Sequence, residues 1–275
     1  MPPATPAILL AAFGSLEPRA LATYDALRES YLRAAPGSEV RLAFTSDLIR
    51  HRLAEQHGIS FPSPLAALAE QHGLGHRSAV VQSLQVVPGE EFHSLASLVS
   101  GLRSVRNRFA FERLEVGLPL LTSPEDCRKV SAALAPVWER AAAGSQALRA
   151  DEEAVMLVGH GTGHAADSLY SLMAQVLQKD HRNVFLGTIE GFQGPEDLAA
   201  RLKGCGAKRV QLWPFLLVAG GHAVREIAGD DPSSWKSILE REGFEVQVHL
   251  QGLAENGEIV AIFLEHTRRA LERIV

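Results

Sequence analysis

Residues 155–164 read Val155-Met156-Leu157-Val158-Gly159-His160-Gly161-Thr162-Gly163-His164. Four apolar residues in a row suit a strand buried on both faces, as parallel strands are. The run stops at Gly159 and sets His160 between two glycines. An imidazole where a buried strand ends lies at the carboxyl edge of a sheet, where open α/β folds bind ligands. Glycines on either side let a bulky ligand approach the backbone. Taken alone, the stretch is equally compatible with a histidine that only hydrogen-bonds a turn.

Working outward, the same arrangement recurs near the start of the chain. Residues 7–12 form an apolar run that ends in Phe13-Gly14-Ser15. Aligning the two runs puts His160-Gly161-Thr162 on Phe13-Gly14-Ser15. Further strands are expected at 40–44, 79–87 and 114–118 in the first half, and at 184–188, 209–218 and 244–250 in the second. Helices fall between them. One opens at Pro18 and carries Leu21, Tyr24, Leu27 and Tyr31 at helical spacing. Others are expected at 47–54, 65–71 and 92–103. Ser123-Pro124-Glu125-Asp126 opens another, reaching about residue 143: a cap, a proline, then acids at the positive helix terminus. In the second half one runs from Pro195 to Gly204, and an amphipathic helix spans 257–274. Alternating strands and helices imply parallel βαβ units. The expected fold class is therefore α/β: two similar domains, 1–144 and 145–275, each a four-stranded parallel sheet flanked by helices. A cleft between two such domains is a common ligand site. Aligning 209–218 with 80–87 sets His222 opposite Glu91.

Composition agrees with a globular protein. The chain has 275 residues, of which 46% are hydrophobic and 21% charged, enough for two domains of about 100–150 residues. A net charge of −5 argues against a general nucleic-acid binder. Residues 8–13 are too short an apolar run for a signal peptide or a membrane span, so a cytoplasmic protein without membrane association is expected. Cys127 and Cys205 stand far apart, which disfavours a disulfide framework or a cysteine zinc site. Most of the eleven histidines are expected on the surface, among them His51, His57, His72 and His76.

The chemistry concentrates at three strand ends of the second half. His160, Glu190 and His222 each follow an apolar strand and lie beside a glycine. In a parallel sheet such ends converge on one edge. Two imidazoles and a carboxylate suit a divalent transition metal and leave coordination positions open. Singly, each has a plain structural reading: a turn histidine, a helix-capping carboxylate, a helix N-terminal residue. His164 reads as exposed. Phe13, opposite His160 in the repeat, suits either an apolar wall for a flat ligand or core packing.

Val-Gly-His-Gly-Thr at 158–162, Thr-Ile-Glu-Gly at 188–191, Gly-Gly-His-Ala at 220–223, and Gln-Ser-Leu with Pro-Gly-Glu-Glu-Phe within 82–92 resemble the anaerobic cobaltochelatase (CbiK) family. The resemblance spans nearly the whole chain. Family members are ATP-independent class II chelatases, related to ferrochelatase. The resemblance implies a duplicated chelatase-like fold and insertion of Co²⁺ into sirohydrochlorin, or its precorrin form, on the anaerobic route to cobalamin. It implies His160, Glu190 and His222 as metal ligands; because an imidazole can also take protons near neutral pH, His160 is the leading base candidate. It puts the family's further active-site carboxylate in Glu90-Glu91, of which Glu91 is chosen because it precedes Phe92, as the motif requires, and aligns with His222. Phe13, Ser15, Gln85 and Gly161 are expected to touch the tetrapyrrole. Co²⁺ enters as substrate, ATP is not expected, and a homo-oligomer stays open. Periplasmic members carry a signal peptide and bind haem between subunits; with no such peptide read here, haem is not expected and His93 reads as a surface residue. Arg225 and Arg50 are candidates for the substrate's carboxylates.

A ferro- or nickel-chelatase is a close rival, because nitrogen and oxygen ligands separate these metals poorly. A non-catalytic metal- or tetrapyrrole-binding protein is a second alternative. A phosphate-handling enzyme ranks low, since the glycine-rich turn lacks the Gly-Lys-Ser/Thr of a phosphate loop.

Overall fold

The computed structural model describes residues 5–143 and 152–274. The first four strands are β1 (Ala7–Ala12), β2 (Val40–Phe44), β3 (Ser78–Ser83) and β4 (Arg113–Gly117). They form one parallel sheet in the order β2-β1-β3-β4. The intervening helices are α1 (Pro18–Ala34), α2 (Asp47–His57), α3 (Pro64–Gly73) and α4 (Glu90–Arg103). Their starts follow from local chemistry. Pro18 sits in the first turn of α1, while Ser46 and Ser63 cap α2 and α3 by accepting the Ile49 and Ala66 amides. Gly58 closes α2 at φ 65°, a left-handed conformation cheap only for glycine.

After α5 (Pro124–Ala143) come β5 (Glu153–Gly159), α6 (Ser168–Asp180), β6 (Val184–Thr188), α7 (Pro195–Gly204), β7 (Arg209–Pro214), α8 (Trp235–Arg241), β8 (Glu245–Val248) and α9 (Gly257–Glu272). The second sheet is again parallel, in the order β6-β5-β7-β8. Met156, Val158, Phe185, Leu198, Leu212 and Trp235 share its core. Gly187 admits the Trp235 ring, which a Cβ would meet at 2.2 Å.

The duplication is written in the backbone hydrogen bonds at the two carboxyl edges. Thr45 N–H donates to Ala12 O at 2.8 Å, as Ile189 N–H does to Gly159 O at 3.0 Å. The next amides, Ser46 and Glu190, donate to Phe13 O and His160 O at 3.3 and 2.8 Å. His93 N–H reaches Gly89 O, and Val224 N–H reaches Gly220 O, each at 3.1 Å. Phe13 and His160, Ser46 and Glu190, and Glu91 and His222 are thus equivalent positions.

Two expected strands are shorter than their apolar runs. The first, expected at 79–87, pairs only to Ser83; the second, expected at 209–218, pairs only to Pro214. Val87, Phe215, Leu217 and Val218 beyond them are buried although they lie outside the strands, which accounts for their apolar character. Burial without pairing has the same composition as a strand. The run at 244–250 likewise pairs only over Glu245–Val248. His76 is buried against Glu39 (3.1 Å) and His72 is half-buried, so neither is the surface residue expected.

The chain divides into two compact units: Met1–Leu120 with Val260–Val275, and Leu121–Ile259. The expected boundary at 144/145 lies outside the described residues. Helix α5 falls in the second unit and most of α9 in the first. A buried chain of side chains holds α9 there: the Tyr31 hydroxyl is 3.0 Å from Thr267 Oγ1, which donates to Gln82 Oε1 at 2.8 Å. Ala270 and Ile274 pack on Val80. Among the described residues, no helix is long and apolar enough to cross a membrane.

Candidate functional site

His160, Glu190 and His222 all lie in the second unit, and the fold brings them together. His160 follows β5, Glu190 follows β6, and His222 opens a π-helical turn, Ala223–Ile227, in the segment after β7. His160 Nδ1 is 3.9 Å from Glu190 Oε2 and 3.1 Å from the Gly161 carbonyl. The His160 and His222 rings meet edge to face, with centroids 4.5 Å apart. All three side chains reach solvent, at 38%, 63% and 38% exposure. Among the described residues, no group of three or more His, Cys, Asp or Glu is placed to hold a metal ion as the side chains stand.

His222 Nδ1 lies 2.7 Å from Glu226 Oε2. An ionised carboxylate only accepts, so Nδ1 carries the proton and Nε2 keeps its lone pair for a metal. The pair spans one turn, and its spacing, His-x-x-x-Glu, is visible in the sequence. The adjoining backbone is equally specific. Gly161 has φ +82°, and a Cβ there would sit 2.4 Å from the Gly191 amide nitrogen. Only glycine meets both demands.

Two further residues were missed. The Tyr170 hydroxyl is hydrogen-bonded to the backbone of Gly161, and burial pushes its pKa upward. Asp167 accepts the Thr162 amide on Oδ1 at 3.1 Å and the Phe192 amide on Oδ2 at 3.0 Å. Its bonds therefore reach both the loop of His160 and the loop of Glu190. Sequence offers no signal for this, since Phe192 is 25 residues away.

The other expected site residues are placed as follows. Glu91 lies in the first unit, exposed in the first turn of α4 beside Glu90, where the helix dipole favours an acid. Phe13 is 46% exposed. Ser15 is buried, and its hydroxyl accepts the Glu17 amide at 3.1 Å. Gln85 is half-buried, bonded through its side chain to Ser83 Oγ and through its carbonyl to the Leu120 amide. His164 is half-buried and caps the 3-10 turn Ala165–Asp167 by accepting the Ala166 amide, rather than standing exposed. Arg225 lies against Gly221, and Arg50 pairs with Asp47. His93 is exposed on α4.

Residues 6–272 match the model of the family described as cobalt chelatase (CbiK). The chain is 36% identical over 267 residues to the sirohydrochlorin cobaltochelatase CbiKC of Nitratidesulfovibrio vulgaris, covering 97% of this chain and 91% of that one. It is 31% identical over 242 residues to the sirohydrochlorin cobaltochelatase of Salmonella typhimurium, covering 88% and 87%. Among solved structures, the sirohydrochlorin chelatase SirB from Bacillus subtilis subspecies spizizenii, in complex with cobalt, superposes with a TM-score of 0.65. That likeness covers 98% of this chain and 96% of the other at 15% identity, and at that identity it speaks for the fold.

Proposed function

The chain belongs to the cobalt chelatase (CbiK) family, and from that premise we propose that it inserts Co²⁺ into sirohydrochlorin in cobalamin biosynthesis. It is an enzyme, a sirohydrochlorin cobaltochelatase. We further assign it an ATP-independent reaction in the cytoplasm, with the metal entering as substrate.

The observation that carries the site assignment is the proximity of His160 to both Glu190 and His222 at one sheet edge. Charge balance sets what the residues must do. A free-base tetrapyrrole gives up two pyrrole N–H protons as a divalent ion enters. The protein must therefore present a partly dehydrated ion and accept protons. His160 and His222 would each offer the ion one ring nitrogen and Glu190 one or two carboxylate oxygens, three residues that leave positions for pyrrole nitrogens. Glu226 keeps the His222 ring oriented through Nδ1, so Nε2 faces the ion. His160 doubles as the leading proton acceptor, because imidazole is the side chain best matched to proton transfer near neutral pH. Glu91 handles protons or places the ring; its family motif and its equivalence to His222 support that role. Exposed Phe13 offers an apolar surface to the macrocycle.

The test is an absorbance assay of sirohydrochlorin with Co²⁺, Fe²⁺ or Ni²⁺ in turn, without ATP. Turnover with Co²⁺ is expected. Preferential turnover with Fe²⁺ or Ni²⁺ would reassign the metal. Tight binding without turnover would make the protein a carrier.

A further inference from the structure

We infer that Asp167 is a positioning residue that sets the separation of His160 and Glu190, and with it the affinity of the metal site. The inference rests on the reading of His160, Glu190 and His222 as metal ligands.

Three observations support it. First, the two oxygens of one carboxylate are divided between two loops. Oδ1 takes Thr162 N–H, two residues after His160, and Oδ2 takes Phe192 N–H, two residues after Glu190. A charged acceptor on backbone amides makes stronger bonds than a neutral one. Second, the neighbouring residue is shaped around it. A Cβ on Gly191 would lie 2.5 Å from Asp167 Oδ1 and 2.4 Å from Thr188 Oγ1, so a larger residue there forces these side chains to move. Third, the duplication supplies an internal control. The first unit makes the same backbone bonds between its two loops, from Thr45 to Ala12 and from Ser46 to Phe13. It also has the same tyrosine device: Tyr24 is hydrogen-bonded to the Gly14 backbone as Tyr170 is to that of Gly161. Yet the stretch equivalent to the turn of Asp167 reads Pro18-Arg19-Ala20-Leu21, with no carboxylate. The fold therefore forms without this bridge. Among the described residues, the bridge stands in the unit that carries His160 and Glu190, which marks it as serving the site.

The physical effect is preorganisation. Two ligands on separate loops bind an ion tightly only if the loops are already held at the right spacing. Replacing a residue that orients metal ligands typically costs about 10–100-fold in metal affinity.

The experiment titrates Co²⁺ by calorimetry into the full-length wild type and into Asp167→Asn, Gly191→Ala and His160→Ala. The visible absorption of bound Co²⁺, sirohydrochlorin affinity and a thermal melt are recorded beside it. Asn keeps one acceptor oxygen and presents an N–H₂ to the other amide, so one loop is released. Asp167→Asn should lose about 10–100-fold in Co²⁺ affinity, with an altered Co²⁺ spectrum and unchanged sirohydrochlorin affinity. Gly191→Ala should shift both metal readouts in the same direction. A cooperatively melting Asp167→Asn with wild-type Co²⁺ affinity and spectrum overturns the inference. If Asp167→Asn does not fold, Gly191→Ala decides by the same criteria, and failure of both to fold would make Asp167 a determinant of the fold alone. Unchanged Co²⁺ binding by His160→Ala is a different failure: it removes the metal-site reading itself, whatever Asp167 does.

Discussion

His160→Ala separates the role of the site from that of the fold. The side chain is 38% exposed at the end of β5. Removing it forfeits one contact with the Gly161 carbonyl at 3.1 Å and one edge-to-face contact with His222. A partly solvated hydrogen bond of this kind is worth about 1 kcal/mol. For a chain of this size that is a fall in Tm of about 2–4 °C. No non-glycine residue has positive φ among the described residues, so alanine meets no backbone obstacle at 160. The effect on function should be of another order. Losing a ligand should cost more than the roughly 10–100-fold typical of losing a residue that merely orients one. Losing a general base removes about 10²–10⁴ in rate on top of that. The assay is sirohydrochlorin absorbance under a Co²⁺ titration carried well above the wild-type requirement, with circular dichroism and a melt on the same sample. Turnover restored by excess Co²⁺ would leave His160 a ligand and assign the proton acceptor elsewhere. Wild-type turnover at ordinary Co²⁺ by a folded variant would refute both roles.

Glu190→Gln keeps the shape and loses the charge; it should raise the Co²⁺ concentration needed for half-maximal rate while sirohydrochlorin affinity holds. Unchanged metal dependence would make Glu190 a loop residue. Glu91→Ala and His222→Ala should differ in kind: the first leaves Co²⁺ binding near wild type and slows insertion, the second weakens Co²⁺ binding itself, and calorimetry beside the insertion assay tells them apart. Normal insertion by Glu91→Ala would reduce Glu90 and Glu91 to acids that favour the start of α4. His249 supplies a pH test. Burial beside Trp213, whose ring stacks on it at 4.0 Å, pushes its pKa below 6.5, against the opposing pull of Glu153. The unfolded chain then binds the proton first as pH falls, so the stability His249 contributes is present above about 6.5 and is lost below it. Urea melts across pH 7 to 5 should show a shallower acid loss for His249→Gln than for the wild type; identical slopes would count against this account.

Much of the molecule was determined by local sequence. The apolar runs at 7–12, 40–44, 155–158 and 184–188 have the length and composition of buried strands, and Pro18, Ser46, Gly58, Pro124 and Pro195 mark helix ends through chemistry that acts within a few residues. Glycine next to a polar residue at three strand ends was enough to nominate His160, Glu190 and His222, because strand direction in a parallel sheet carries such ends to one edge. What the sequence could not show depends on partners distant along the chain. Val87 and Phe215–Val218 read as strand because burial outside a strand and burial by pairing select the same side chains. His76 read as surface until Glu39, 37 residues away, came beside it. Tyr31, Gln82 and Thr267 draw the C-terminal helix into the first unit, an outcome no pattern around 260–275 reveals. By sequence alone Asp167 is one more acid near a helix start. Only the tertiary structure sets its two oxygens between the loops of His160 and Glu190, because periodicity reports which way a residue faces, whereas a hydrogen bond across 25 residues exists only after the chain has folded.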